Sequence, residues 1–304
     1  MTRDTSASKP RRLRELIARG TVVLPGAFNA LTALQVERAG FDAVYVSGAA
    51  LAAARGLPDI GLLSPSEVVA DAGTIARAVA LPALADADTG YGGPLAVMRT
   101  VREFERAGLA GLHLEDQEMP KKCGHLPGKR LIPAGEMAAK VAAAVRARED
   151  PDFLIVARTD ARAVEGLDAA VRRARRYVEA GADAVFPEAL ESKEEFRAFA
   201  RALAKEGLTV PLLANLTEFG KTPSLTVAEL EDLGYRLVIF PVTALRVAAK
   251  AVERLLAELK ALGTSRESLG AMQTRAQLSD LLRYEEYKRL DEELKERHGR
   301  DDHG

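Results

Sequence analysis

The chain has 304 residues, with 43 Lys and Arg against 44 Asp and Glu, one Cys and no Trp; 47% of it is apolar and 29% charged. That composition suits a globular chain with a full core, and the near-neutral charge excludes a nucleic-acid groove or an anionic membrane surface, both of which want a basic excess. The longest apolar run, 78–85, is broken by Pro82, and Met1 to Arg14 is polar and basic, so no bilayer span or secretory segment is expected, and the single cysteine fits a reducing cytoplasm.

Along the chain, a helical segment four times closes on a glycine and is followed by a buried run. Glu37-Arg38-Ala39-Gly40 precedes Ala43 to Val46, and Glu105-Arg106-Ala107-Gly108 precedes Gly111 to Leu114. Val178-Glu179-Ala180-Gly181 precedes Ala184 to Phe186, and Asp232-Leu233-Gly234 precedes Leu237 to Phe240. Each reads as a helix, a C′ glycine, a short turn and a strand. The first three of these glycines stand about 70 residues apart, room for two βα units in each interval. Filling in the omitted units predicts strands near 22–27, 43–47, 82–88, 111–116, 153–159, 184–188, 211–216 and 236–241. Most are continuous apolar runs between amphipathic helices, as expected of strands buried on both faces of a parallel sheet. Closed on themselves, eight such units predict an α/β fold, a (β/α)8 barrel of the TIM type, with residues 1–304 as one domain. An open doubly wound sheet is the alternative, but no Gly-x-Gly-x-x-Gly follows the first strand.

Two segments exceed the bare repeat. Residues 117–133, after strand four, are long, basic and carry Gly and Pro, which marks a lid or binding loop. Beyond strand eight, a helix from Thr243 to Leu262 is followed by a helical extension at about 263–304. There a single helix from about Gln273 to Arg297 is expected, with Leu278, Leu281, Leu282, Tyr287, Leu290 and Leu294 on one stripe. The stripe packs either on the chain's own barrel or on a neighbouring subunit.

Active sites of such barrels lie at the C-terminal ends of the strands. Strand two ends Tyr45-Val46-Ser47-Gly48, strand three Asp86-Ala87-Asp88 and strand four His113-Leu114-Glu115-Asp116. Strands five to seven end Arg158-Thr159-Asp160, Pro187-Glu188 and Asn215-Leu216-Thr217. One carboxylate at a strand end serves as a helix cap or turn residue; a ring of them calls for a cation. Asp86 and Asp88, two apart in an extended segment, are expected on one face. With Glu115 and Glu188 they form an all-oxygen set suited to Mg²⁺, with Mn²⁺ as the substitute ion. Zinc is the weaker fit, because Cys123 and His125 have no second pair. In Lys121-Lys122-Cys123-Gly124-His125 a thiol stands among ammonium and imidazole groups, which predicts a pKa below the ordinary ~8.5. Such a thiol serves as nucleophile or proton donor, and its charged neighbours argue against a space-filling core cysteine. His113, inside strand four, is read as structural.

The Lys-Lys-Cys-Gly-His loop, Asp86-Ala87-Asp88 and Gly111-Leu112-His113-Leu114-Glu115-Asp116-Gln117 resemble the isocitrate lyase / phosphoenolpyruvate mutase superfamily. So do Pro25-Gly26-Ala27, Ala157-Arg158-Thr159-Asp160-Ala161, Val164-Glu165-Gly166-Leu167-Asp168, Ala214-Asn215-Leu216-Thr217-Glu218-Phe219-Gly220 and Met272-Gln273-Thr274-Arg275, which together span nearly the whole chain. The Cys-Gly-His loop points to the carbon–carbon lyases among them.

That resemblance implies a Mg²⁺-dependent retro-Claisen cleavage of a tricarboxylic acid, with 2-methylisocitrate giving pyruvate and succinate in propionate catabolism by the methylcitrate cycle. It implies that Asp86 holds the metal, with Asp88 acting through water and Asp59, Glu115 and Glu188 completing the acidic shell. Ser47, Gly48 and Ala49 would face the keto-acid carboxylate, and Arg158 would bind carboxylate through its planar fork. Gly124, His125, Asn215, Thr217, Thr243 and Arg246 would cradle the succinate part. Cys123 would protonate the carbanion, Lys121 and His125 would stabilise the thiolate, and Tyr45 would assist with the alcohol proton. Phe186 stands where isocitrate lyases carry Trp, leaving room for a methyl group whose contact is worth ~1–3 kcal/mol. A homotetramer with C-terminal helices exchanged between paired subunits is also implied, with Tyr284 and Tyr287 near the contact. The competing readings are a mutase for carboxyphosphonoenolpyruvate or phosphonopyruvate, which has no need of Cys123, and a lyase or hydrolase for isocitrate, dimethylmalate or oxaloacetate. A non-catalytic scaffold is the third, and the complete acidic ring stands against it.

Overall fold

Eight parallel strands close into a barrel in sequence order: β1 (Val22–Ala27), β2 (Val44–Val46), β3 (Ala83–Asp86), β4 (Gly111–Glu115), β5 (Leu154–Thr159), β6 (Ala184–Pro187), β7 (Leu212–Asn215) and β8 (Tyr235–Phe240). β1 pairs with β8, Val22 opposite Leu237, which seals the sheet without an edge. The computed structural model describes residues 7–298. All eight expected strands are present, with boundaries shifted by one or two residues where their ends fray. Gly40, Gly108, Gly181 and Gly234 take φ of 87°, 91°, 104° and 90°, so each closes its helix in the left-handed region that a side chain resists.

Inward-facing Leu24, Tyr45, Leu84, Val156, Phe186 and Leu237 belong to one buried cluster inside the barrel. A helix before β1, Lys9–Arg19, adds Leu13 and Ile17 to it. This helix is not part of the βα repeat, and its start is set by Ser8, whose side chain accepts from the Arg11 N–H, and by Pro10 in the first turn. Outside the barrel, the helices Pro65–Ala78, Pro94–Arg106 and Ala134–Ala147 bury Ile75, Phe104 and Val141 against the strands' other face.

The chain divides into two compact units after Arg246. The second contains the rest of the helix Thr243–Leu262, a 3-10 turn Arg266–Ala271, and the helices Arg275–Leu281 and Tyr284–His298. The single helix expected over about 273–297 is therefore two. Leu282 caps the first, and Arg283 at φ 57° turns the chain into the left-handed region, where the helical ladder cannot continue. Leu281 is buried, whereas Leu278, Leu282, Tyr284, Tyr287, Leu290 and Leu294 are exposed. Among the described residues, no helix is long and apolar enough to cross a membrane.

Candidate active site

The strand ends bring the expected residues together in two neighbouring groups. The first surrounds Asp86, the last residue of β3. Asp88 is not extended: its φ of 47° belongs to a turn that returns its N–H to Asp86 Oδ1 at 2.9 Å. The two carboxylates converge through that turn, which corrects the expectation that strand alternation places them on one face. Ser47 caps the helix Gly48–Ala54 by accepting the Ala50 N–H at 3.3 Å. This brings Gly48 so close that a Cβ there would lie 3.0 Å from Asp86 Oδ2. The buried Lys121 ammonium pairs with Asp59 and stands 2.8 Å from Asp88 Oδ1. Burial opposes its charge, but the fields of Asp88, Glu115, Asp86 and Asp59 raise its pKa well above the ordinary lysine value. Burial pushes Asp88 up to about 6, with Lys121 opposing the rise and Asp86 adding to it.

The second group is built on Arg158, from β5. Its Nε lies 3.2 Å from Glu115 Oε2 and 2.9 Å from Asp160 Oδ2, and its Nη2 lies 3.4 Å from Glu188 Oε2. The guanidinium also covers the Phe186 ring at 5.1 Å. Glu188, at the end of β6, accepts the Ala189 N–H at 2.7 Å and the Asn215 amide at 3.2 Å, and His125 Nε2 lies 3.3 Å away. Burial would raise Glu188, but Arg158 and His125 hold it well below the ordinary carboxylate range. Glu188 thus meets Arg158, His125 and Asn215 at the cavity that Asp86 also lines. Burial pushes Glu115 far up, with Arg158 only partly opposing, and its Oε1 is buried without a hydrogen-bond partner.

Over both groups lies the loop after β4. Its stem is zipped by the Glu118 N–H on Arg130 O at 2.8 Å and the Ile132 N–H on Asp116 O at 3.0 Å. The Gln117 amide clamps the backbone of Lys122 in both directions at 2.9 Å. Buried Lys129 donates to Gly124 O and lies 2.7 Å from Asp160 Oδ1, tying the loop tip to β5. His125 Nδ1 accepts the Lys221 N–H at 3.0 Å, which joins this loop to the one after β7.

Cys123, half-buried, does not have the lowered pKa expected from its neighbours. Burial raises it, the His125 backbone N–H and Arg158 only partly opposing and Asp59 and Glu188 adding to the rise, while the Lys121 ammonium is spent on Asp59 and Asp88. A thiol whose pKa is raised in this way is suited to giving a proton and not to resting as a thiolate nucleophile.

The cavity beneath the loop is lined by Tyr45, Ser47, Ala49, Asp59, Asp86 and Lys121 on one side. Lys122, Cys123, Gly124, His125, Arg158, Phe186, Glu188, Asn215, Thr217, Ile239, Pro241, Val242 and Arg246 complete it. Of the residues expected at the site, Gly48, Asp88, Glu115 and Thr243 stand behind this lining. Thr243 donates to the Glu218 carboxylate; Arg246 donates to Glu218 O and covers Phe219 at 5.3 Å.

Three supporting groups escaped the sequence reading. Lys129 and Gln117 anchor the loop, and neither carries a signal beyond lying in a basic, polar segment. Asp116 accepts from Tyr177 at 2.7 Å, Thr159 at 2.8 Å and the Asp160 N–H at 2.9 Å, locking the ends of β4 and β5 together. His113 is bonded to Tyr45, its Nε2 2.6 Å from the hydroxyl, and burial pulls its pKa down to about 4.

Acids, a guanidinium and a protonated thiol gathered at one end of a closed barrel define a (β/α)8 enzyme for a small polar molecule. The phosphoenolpyruvate phosphomutase family model matches residues 13–260, and the chain belongs to that family. It is 50% identical over 284 residues to a 2-methylisocitrate lyase of Bacillus subtilis, covering 93% of this chain and 92% of that protein. With a 2-methylisocitrate lyase of Aeropyrum pernix the identity is 52% over 283 residues, or 93% and 90% of the two chains. Among solved structures, a 2,3-dimethylmalate lyase superposes with a TM-score of 0.88 at 36% identity, covering 95% of this chain and 96% of that one. Phosphonopyruvate hydrolase, solved with oxalate and Mg²⁺, gives 0.84 at 32% identity over 94% and 98%.

Proposed function

We propose that this chain is a carbon–carbon lyase that cleaves 2-methylisocitrate to pyruvate and succinate with Mg²⁺. The observation that carries the reading is Cys123, a thiol lining the acidic cavity, in a chain half identical to curated 2-methylisocitrate lyases. Product analysis by NMR with that substrate tests it.

Magnesium suits the Asp86–Asp88 corner. A hard cation that keeps several waters needs only one or two carboxylates, and Gly48 leaves open the space beside Asp86 that a Cβ would fill. Among the described residues no group of three or more His, Cys, Asp or Glu side chains stands ready to hold a metal ion. Asp86 would hold the metal and Asp88 would act through water, with Asp59 and Glu115 completing the acidic surround. When bound, the ion supplies Lewis-acid stabilisation of the charge that develops on oxygen.

The chain's own residues do the rest. The Ser47 hydroxyl and the Ala49 N–H bind the keto-acid carboxylate, with Gly48 behind them keeping the approach to Asp86 open. Arg158 offers its fork to a carboxylate, its charge balanced by Glu115, Asp160 and Glu188. Gly124, His125, Asn215, Thr217 and Arg246 enclose the succinate part, with Thr243 acting through Glu218. Tyr45 meets the alcohol proton. As the C–C bond breaks, the Cys123 S–H gives its proton to the succinate carbanion, and the His125 backbone N–H and the nearby Lys121 ammonium stabilise the thiolate that is left. The loop, anchored through Lys129 and Gln117, excludes water while this happens.

The quaternary reading is a homotetramer in which C-terminal helices are exchanged between paired subunits. Support comes from the second unit, where Val252, Leu256, Tyr287 and Leu290 are exposed, an apolar surface of the kind that subunit contacts cover. Light scattering should give a tetramer for the intact chain and a smaller species after truncation at Thr274; an unchanged tetramer would remove the exchange. A cytoplasmic setting fits the single cysteine.

A further inference from the structure

His113 stands behind the cavity, wholly buried on β4, and touches three of the residues that line it. Its Nε2 is 2.6 Å from the Tyr45 hydroxyl, its Nδ1 is 3.7 Å from Asp86 Oδ1, and the Phe186 ring meets it edge-on at 5.4 Å between centroids. A neutral imidazole has one donor and one acceptor nitrogen. With the hydrogen on Nδ1, its partial positive charge faces the Asp86 carboxylate across a gap too wide for a hydrogen bond; the other tautomer would turn the negative end of the ring dipole toward that carboxylate, a repulsion that burial strengthens. Nε2 is therefore the acceptor, and the Tyr45 O–H donates to it. This bond turns the phenol hydrogen away from the cavity and leaves only oxygen lone pairs facing it.

We infer that His113 is a positioning residue: it holds the Tyr45 hydroxyl so that the phenol oxygen accepts a hydrogen bond from the substrate alcohol. Freed of His113, the hydroxyl could rotate and donate into the cavity, where it would meet a substrate oxygen with the wrong polarity. The inference rests on the role given to Tyr45 above. It also changes the standing of His113 from a packed core histidine to a partner of the reacting end of the site.

Two substitutions separate the hydrogen bond from the packing. In H113N the shorter amide keeps the place of Nδ1 beside Asp86 and leaves Tyr45 without its acceptor. In H113Q the longer amide sets an oxygen where Nε2 stood. Steady-state cleavage of 2-methylisocitrate with Mg²⁺ should show kcat of H113N reduced ~10-fold or more, with KM within about threefold and H113Q restoring most of the loss. In the Y45F background, H113N should cost nothing further, because the bond it breaks is already gone. An equal loss in both backgrounds, an H113Q variant as slow as H113N, or full kcat in H113N would overturn the inference. Full activity of Y45F alone would instead remove the role of Tyr45 on which it rests.

Discussion

A Cβ at Gly124 would stand 2.7 Å from the Glu188 carboxyl carbon, so the loop carrying Cys123 rests directly on the end of β6. Glu188 cannot swing aside, because Arg158, Asn215, His125 and the Ala189 N–H hold it. Gly124→Ala should therefore lift the loop tip and misplace the thiol. A misplacement near 1 Å can cost ~10²-fold, and a loss of at least ~10-fold in kcat is expected by steady-state kinetics, with the melting temperature nearly unchanged. Unaltered kcat would mean that the loop closes in some other way.

Cys123→Ser keeps the shape but replaces the thiol with a far weaker acid. Cleavage should fall by at least ~10²-fold with KM little changed. The donor must carry its proton, so wild-type kcat should be flat through neutral pH and fall as pH rises through the thiol's pKa, which burial moves above its ordinary value. A pH profile that instead rises across that range would mark a thiolate nucleophile.

Asp86→Ala removes the carboxylate to which both Gly48 and the Asp88 N–H are fitted. Turnover should be lost while the barrel stays folded, since one fewer carboxylate also eases the repulsion with Asp88. In the unmodified protein, EDTA should abolish activity and Mg²⁺ restore it, with Mn²⁺ able to substitute. Full activity in chelator would exclude the metal.

The barrel was readable from the chain because its signals are local: helix, glycine and apolar run recur, and Gly40, Gly108, Gly181 and Gly234 all take the backbone angles that pattern requires. That the polar strand ends line one cavity was readable for the same reason. The loop thiol was located correctly but its pKa misjudged, because the directions in which Lys121 and His125 point depend on Asp59, Asp88 and Glu188, remote in sequence. Convergence of Asp86 and Asp88 was foreseen for the wrong reason, since nothing in Asp-Ala-Asp marks the left-handed turn at Asp88. The bond between His113 and Tyr45 was not legible in the sequence because Tyr45 lies two strands away. The C-terminal break at Arg283 has no glycine or proline to announce it.

Tyr177→Phe tests the lock between β4 and β5 apart from catalysis. It removes one of the hydrogen bonds on the buried Asp116 carboxylate, leaving Thr159 and the Asp160 N–H in place. Denaturant unfolding should show a loss of about 1–2 kcal/mol with kcat unchanged. A large fall in kcat at unaltered stability would give Asp116 a part in the reaction.

The most direct measurement is an NMR time course of the purified chain with Mg²⁺ and, in separate samples, 2-methylisocitrate, isocitrate and phosphonopyruvate. Equal amounts of pyruvate and succinate should appear from 2-methylisocitrate, much faster than isocitrate is cleaved, with phosphonopyruvate unchanged. Conversion of phosphonopyruvate while 2-methylisocitrate stays intact would contradict the account.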